Sequence, residues 1–196
     1  MMQRRFLFSI VCLLLVATEI CIAKKSQGLD QPMTLTLLGD TTGGTYTGPL
    51  VDGKPHGEGK FRVGEGAFDG GNIVGTFVDG DLSGTAKGIG KDGNVLYEGE
   101  WQNGVPHGQG VSYYASSKVV KYEGGLQFGQ SHGQGKAYDH DGELLYDGGW
   151  QAGNRHGFGK MFHDTSDHSS AAYEGMFEKG RRADIVEKSS NRRYLR

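Results

Sequence analysis

Histidines at a recurring spacing are the residues of this chain best suited to chemistry. Four of them, each followed by glycine, occupy equivalent places in a repeated pattern: His56, His107, His132 and His156. Imidazole binds metal ions, but a metal site needs several ligands clustered around one ion. Stacked hairpins would place these side chains about 9–10 Å apart, too far to share an ion. We therefore predict that they serve the backbone at turns.

A second group of metal-ligating types falls in one insertion: His163, Asp164, Asp167 and His168. Mixed imidazole and carboxylate ligands suit divalent ions, which makes this group a weak metal candidate. A polar hairpin loop is the favoured alternative, since no supporting second cluster is visible in the sequence. The Gly-x-Gly pairs lack the following helix that a dinucleotide site needs, and no nucleophile–base motif is recognisable. We predict a non-enzymatic chain without a cofactor.

The histidines belong to a repeat of about 25 residues. Its clearest copy reads Tyr97-x-Gly99-x-Trp101, then Gly104, then His107-Gly108-x-Gly110. Six copies, of which Ile73 begins a degenerate one and Tyr173 a half copy, start 27, 24, 25, 24 and 27 residues apart, at Tyr46, Ile73, Tyr97, Tyr122, Tyr146 and Tyr173. A fixed period in this range predicts a repeat architecture whose units stack to bury their apolar faces.

Alternation within the repeat predicts β-strands. Tyr97, Gly99 and Trp101 would share one face of a strand, while the two intervening glutamates would face the other way. The stretch from Gly104 to Gly108 is predicted to be the turn, and the second strand to begin at Gly108. Asp92-Gly93 and Asp141-Gly142 predict hairpin turns elsewhere in the array. The expected fold is all-β: one elongated antiparallel meander sheet of stacked hairpins.

The N-terminus has the three parts of a secretory signal peptide: basic Arg4 and Arg5, an apolar run over 6–17, and small residues before a cleavage site after Ala23. Cleavage of residues 1–23 would remove both cysteines, Cys12 and Cys21, so the mature chain would have no disulfide. We expect a secreted protein or one in the endomembrane lumen.

The remaining chain divides by composition. We predict a linker at 24–31, an N-terminal capping strand at 32–45 built on the alternating run from Met33 to Leu37, and repeats over 46–180. A basic tail or cap follows at 181–196, in which a short helix over 183–195 is a further expectation. An exposed edge strand invites aggregation, which is why both ends of a sheet need covering.

The pattern Tyr-x-Gly-x-Trp/Phe/Leu-x-x-Gly-x-x-His-Gly-x-Gly, fullest from Tyr97, Tyr122 and Tyr146, resembles the MORN repeat (membrane occupation and recognition nexus). The resemblance covers about residues 46–180. It implies a rod-like twisted sheet of successive hairpins, a scaffolding role, self-association through end repeats and phospholipid binding. The signal peptide departs from the cytoplasmic and ciliary relatives, which puts cytoskeletal partners in doubt.

Aromatic residues at the repeat positions form a stripe along one face. Its first expected role is packing, and its second is a surface for a partner segment or for sugar rings. The stripe comprises Tyr46, Phe77, Tyr97, Trp101, Tyr122, Tyr146, Trp150, Tyr173 and Phe177.

The last nineteen residues hold seven basic and three acidic side chains, a net charge of +4, against −7 for the rest of the mature chain. They are candidate contacts for anionic lipid, although a solvated tail, or one folded onto its own acidic rod, is the favoured expectation. The basic residues are Lys179, Arg181, Arg182, Lys188, Arg192, Arg193 and Arg196. The acidic rod and the secretory address argue against nucleic-acid binding.

Three functions remain open from sequence. The first is a secretory-pathway scaffold that binds an unidentified protein and self-associates, with a homodimer as the simplest form. The second is a peripheral binder of anionic membrane through the tail. The third is a glycan binder that uses the rings of Trp101 and Trp150.

Overall fold

A computed structural model describes residues 30–64, 70–162 and 172–183. The elements of this part of the chain are β-strands: β1 Gln31–Leu37, β2 Asp40–Thr47, β3 Leu50–Val51, β4 Lys54–Pro55, β5 Gly57–Val63, β6 Asn72–Val78, β7 Asp81–Ile89, β8 Val95–Gln102, β9 Val105–Tyr113, β10 Val120–Gln127, β11 Gln130–Tyr138, β12 Leu144–Gln151, β13 Asn154–Met161, β14 Tyr173–Glu178 and β15 Arg181–Arg182.

Thirteen of the strands form one sheet in the order β1-β2-β5-β6-β7-β8-β9-β10-β11-β12-β13-β14-β15, and β3 pairs with β4 separately. Neighbours pair antiparallel, as shown for example by β8 with β9 and by β9 with β10. The linear order leaves the sheet open. The predicted all-β meander of stacked hairpins is therefore confirmed.

Tight turns connect the two strands of each hairpin. At these turns two consecutive residues have positive φ, as type I′ turns require; Asn103 (50°) and Gly104 (75°) are one pair, and Phe128 (50°) and Gly129 (74°) another. The other predicted turns, Asp92-Gly93 and Asp141-Gly142, lie between β7 and β8 and between β11 and β12.

The predicted turn from Gly104 to Gly108 was wrong in extent. Strand β9 begins at Val105, directly after Gly104, so His107 and Gly108 lie within the strand. The register explains them: Gly99 faces Gly110 and Trp101 faces Pro106, which leaves three residues of β9 opposite Glu100 alone. This is a β-bulge, and Gly108 adopts φ 75° inside it.

The same bulge recurs, with register shifts at Gly75/Phe77, Gly124/Leu126 and Gly148/Trp150. His107, His132 and His156 therefore sit in bulges rather than in turns, which corrects the expectation for these three, while His56 lies between β4 and β5. A glycine at positive φ is common to turns and bulges, so the sequence pattern looks the same in both.

Hydrogen bonds between turns join each hairpin to the next. The turn glycine N–H donates to a carbonyl of the preceding hairpin: Gly80 to Pro55 (2.9 Å), Gly104 to Leu82 (2.9 Å), Gly129 to Pro106 (2.9 Å), Gly153 to Ser131 (3.0 Å) and Gly180 to Arg155 (2.9 Å). These bonds add nearest-neighbour coupling to the strand ladders, which is how repeat arrays gain stability.

The N-terminal hairpin folds over the ring-bearing face. The segment predicted as the capping strand, 32–45, contains nearly all of β1 and most of β2. Leu35 and Leu37 of β1 join a core that includes Tyr46, Phe77 and Trp101. The N–H of Leu38 donates to the carbonyl of Gly104 at 3.0 Å, which anchors the hairpin to the turn after β8.

Several predicted segments lie outside the described residues: the signal peptide, nearly all of the linker, and 184–196, which includes nearly all of the helix expected at 183–195. Among the residues that are described, no helix has the length and apolarity needed to cross a bilayer.

Candidate functional site

The two faces of the sheet differ in what they can offer a partner. On the ring-bearing face, the tyrosine of each repeat lies along its own strand and donates its hydroxyl to the carbonyl three residues later. Tyr97 donates to Glu100 at 3.0 Å and Tyr122 to Gly125 at 2.8 Å. Glu100 and Gly125 stand opposite bulges. The hydroxyl thus supplies a donor where the ladder register shifts.

Glycine pairs make room for these rings. A Cβ on Gly99 would come within 2.5 Å of Gly110 Cα and 2.6 Å of Tyr97 Oη, and one on Gly110 would lie 2.6 Å from Tyr97 Cζ. Each ring also meets a second ring edge-on, with centroids 5.3 Å apart for Tyr97 and Trp101. Tyr97, Gly99, Trp101 and Gly110, the last glycine of His-Gly-x-Gly, therefore form one packing unit.

The predicted aromatic stripe is largely buried. Tyr46 and Phe77 are fully buried and Tyr97 keeps 6% of its surface, while Trp150 and Tyr173 are half-buried. The remaining four, Trp101, Tyr122, Tyr146 and Phe177, are also buried. Burial raises the pKa of Tyr97 from its ordinary value of 10.0 to about 12, with the charge of Glu100 as a second cause. The rings of this face therefore pack mainly against residues of the same chain and leave little surface for a partner.

The opposite face is open and carries a groove of about 840 Å³. Its floor is a row of small residues that are paired strand to strand: Gly75 with Ala86, Ala86 with Gly99, Gly99 with Gly110, Gly110 with Gly124, and Gly124 with Gly135. The Cβ positions of these residues face the rings, so their backbone forms the floor of the groove, which crosses the strands at right angles between flanking side chains.

A row of mainly charged side chains borders the groove. In register from β5 to β14 it runs Lys60, Val74, Lys87, Glu98, Val111, Glu123, Lys136, Asp147, Lys160 and Glu174. Opposite charges directly across an antiparallel pair attract. The N–O distance is 2.8 Å for Lys87–Glu98, 3.6 Å for Lys136–Glu123 and 3.2 Å for Lys160–Glu174.

Carboxylates outnumber amines along the groove. The lining includes Glu58, Glu98, Glu123 and Asp147 against Lys87 and Lys136. Tyr138 donates to Glu123 at 2.6 Å. Burial, then the bond to Glu123, then the charges of Glu123 and Asp147 raise the pKa of Tyr138 to about 12. The groove lining therefore has a net negative charge and suits a cationic ligand.

The sequence carried a signal for this groove that the prediction did not use. An acidic residue follows the motif tyrosine in four copies: Glu98, Glu123, Asp147 and Glu174. Lys136 and Lys160 follow the last glycine of two His-Gly-x-Gly runs. The strand pairing brings these two sets face to face.

The histidines lie along the turn edge of the sheet. His56 Nδ1 is 3.7 Å from Asp79 Oδ1, and His107 meets Phe128 edge-on at 5.7 Å. Within the ranges 30–64, 70–162 and 172–183, no three histidine, cysteine or acidic side chains are grouped to hold a metal ion. The weak metal candidates His163, Asp164, Asp167 and His168 fall outside these ranges.

The basic C-terminal residues are described only in part. Lys179 and Arg181 are exposed at the turn between β14 and β15, and the guanidinium of Arg182 lies 4.8 Å from the centre of the Tyr173 ring. Lys188, Arg192, Arg193 and Arg196 belong to the segment that the structure does not describe.

A packed ring face, an open charged face and regular hairpins define a class: an open β-hairpin repeat array. The MORN repeat family model matches this chain at residues 46–67, 97–119, 122–143 and 146–165. The chain is therefore a MORN-repeat protein, and repeats of this kind commonly mediate protein and membrane interactions. A search of the curated proteins found no match.

Proposed function

We propose that this protein is a non-enzymatic scaffold of the secretory pathway that binds another protein along the open face. The observation that carries the proposal is the glycine-floored groove, which lies on the face that the protein's own packing leaves free. The rings of the other face are used in contacts within the chain, so the open face is the surface available to a partner.

The groove offers a partner both apolar and charged contacts. Val74 and Val111 line it between the charged side chains. Interfaces gain affinity from a desolvated apolar centre and specificity from a charged surround. A basic segment that carries bulky apolar residues fits this surface best.

Blocking the groove with a long side chain from its bordering row tests the proposal. Val111→Arg places a long side chain at the centre of the groove, while Val51→Arg makes the same change on the separate β3–β4 hairpin, where Val51 is 50% exposed. Affinity purification from the secretory compartment of native cells should recover a partner with the wild type and with Val51→Arg. Equal recovery of that partner by Val111→Arg would refute the proposal.

The secretory address and self-association are parts of the same proposal. N-terminal sequencing of the protein from cells should give a mature chain that begins at Lys24, and sedimentation equilibrium should show a homodimer. A chain that retains residues 1–23, or one found outside the secretory pathway, would refute the proposed secretory localisation. A purely monomeric protein would remove self-association.

A second candidate is binding to anionic membrane. It is favoured by the exposure of Lys179 and Arg181 at the last hairpin turn. Co-sedimentation with anionic vesicles should fall when residues 181–196 are removed and when salt is added. The glycan alternative is less supported, because Trp101 is buried and Trp150 is half-buried; unchanged glycan affinity after their replacement by alanine would dismiss it.

A further inference from the structure

The groove lacks an occupant among the described residues, and the sequence contains a segment that fits it. The groove lining has four carboxylates and two amines. Both amines are paired, Lys87 with Glu98 and Lys136 with Glu123. Glu58 and Asp147 remain when these two pairs are set aside, which gives the groove lining a net charge of −2.

The segment that follows the last described residue has the complementary composition. Residues 184–196 hold four basic and two acidic side chains, and the two acidic ones precede all four basic ones. Its last five residues are Arg192, Arg193, Tyr194, Leu195 and Arg196. Arginines suit carboxylates, and a tyrosine and a leucine suit a floor of glycine and flanking valines.

The segment is also long enough. It starts beside β15, and Asp147 on β12 and Glu123 on β10 lie three and five strands from β15 in the sheet order, about 14 and 24 Å away. Lys188 comes six residues after Arg182 and so reaches at most about 20 Å, and Arg193 about 36 Å. The cationic half of the segment therefore spans the acidic half of the groove.

We propose that segment 184–196 docks in the groove of its own chain, with Lys188 and the arginines against Asp147 and Glu123, and that a partner displaces it. The inference rests on the open face being the partner surface. Because the segment is tethered, it meets the groove at an effective concentration on the order of millimolar, which a free partner has to overcome. The docked segment competes with the partner for the groove. The partner therefore binds only above a threshold concentration.

Zero-length cross-linking of the full chain tests the docking directly. A carbodiimide joins a lysine to a carboxylate that it touches, and Lys188 is the single lysine of segment 184–196. Mass spectrometry should find Lys188 joined to Asp147 or Glu123, and a mixture of ¹⁵N-labelled and unlabelled protein should place both ends in one chain. Links confined to Asp79 or other turn-edge acids, links between two chains, or no link would overturn the proposal.

Proteolysis provides a second readout. Trypsin should cleave after Arg192 and Arg193 about five-fold faster in Asp147→Asn/Glu123→Gln than in the wild type at low salt, since two partly exposed ion pairs are lost. Asp79→Asn, an acid on the turn edge, serves as the matched control and should leave the rate unchanged. Equal rates in all three proteins would contradict docking. A partner that still binds the groove in that case would spare the proposed function.

Discussion

Replacing one glycine of the packed pair by alanine tests the packing unit. A Cβ at Gly110 would overlap the ring of Tyr97, so the ring has to leave its place above the glycines. That movement exposes a side chain that is now 6% exposed, at a cost of about 1.5–3 kcal/mol. It also breaks the bond from the hydroxyl to the Glu100 carbonyl, worth about 1 kcal/mol.

Alanine also restricts the unfolded chain, which returns about 0.4–1 kcal/mol. The expected net loss for Gly110→Ala is therefore about 2–3 kcal/mol. Gly43→Ala is the matched control, because a Cβ there meets nothing within 4 Å and Gly43 is not at positive φ. It should be neutral or slightly stabilising.

Urea unfolding followed by tryptophan fluorescence and circular dichroism measures both variants. Coupling to the ring is checked with a double-mutant cycle, since Gly110→Ala in a Tyr97→Leu background should lose most of its cost. Equal stability of the Gly110→Ala and Gly43→Ala proteins would refute the account, as would a full cost that persists without the ring.

Three further outcomes follow from the same contacts. Tyr122→Phe should cost about 1 kcal/mol in urea unfolding, because the Gly125 carbonyl loses its donor; the same change at Tyr173, whose bond is exposed, should cost less. Ala152→Asn should raise stability by about 0.5–1 kcal/mol, because Ala152 sits at φ 46° and asparagine tolerates that region; a lower melting temperature would count against the turn assignment. Burial raises the pKa of Tyr97 to about 12, so the stability due to its neutral form is complete below pH 10 and is lost as the pH rises through 12; denaturation followed from pH 9 to pH 12 should show a smaller decline in Tyr97→Phe.

The fold could be predicted because the same pattern of alternating residues and turn glycines recurs in several copies of the repeat. The alternation around Tyr97 and Trp101 places rings and glutamates on opposite faces, and one hairpin cannot bury its rings without neighbours. The second role expected of the aromatic stripe, as a partner surface, assumed that a single sheet leaves such rings uncovered. The structure instead lays each tyrosine on glycines of its own strand and the next, and it covers the first repeats with Leu35 and Leu37.

The bulge and the pairing of charges across the groove could not be read from the sequence alone, because both depend on register. Gly108 at positive φ fits a turn and a bulge equally, and only the pairing of Trp101 with Pro106 distinguishes them. The facing of Lys87 and Glu98 likewise follows from how far each bulge shifts the next strand. Side chains eleven residues apart in sequence give no local sign that they form an ion pair.

Carboxyl footprinting of the protein bound to its partner tests the central claim most directly. Glycine ethyl ester coupling labels exposed carboxylates, and mass spectrometry reads the labelling site by site. The account predicts protection of Glu98, which lines the groove beyond the carboxylates assigned to segment 184–196, while Asp79 on the turn edge reacts as in the free protein. Protection of the turn edge with an unchanged groove would show that the partner binds elsewhere.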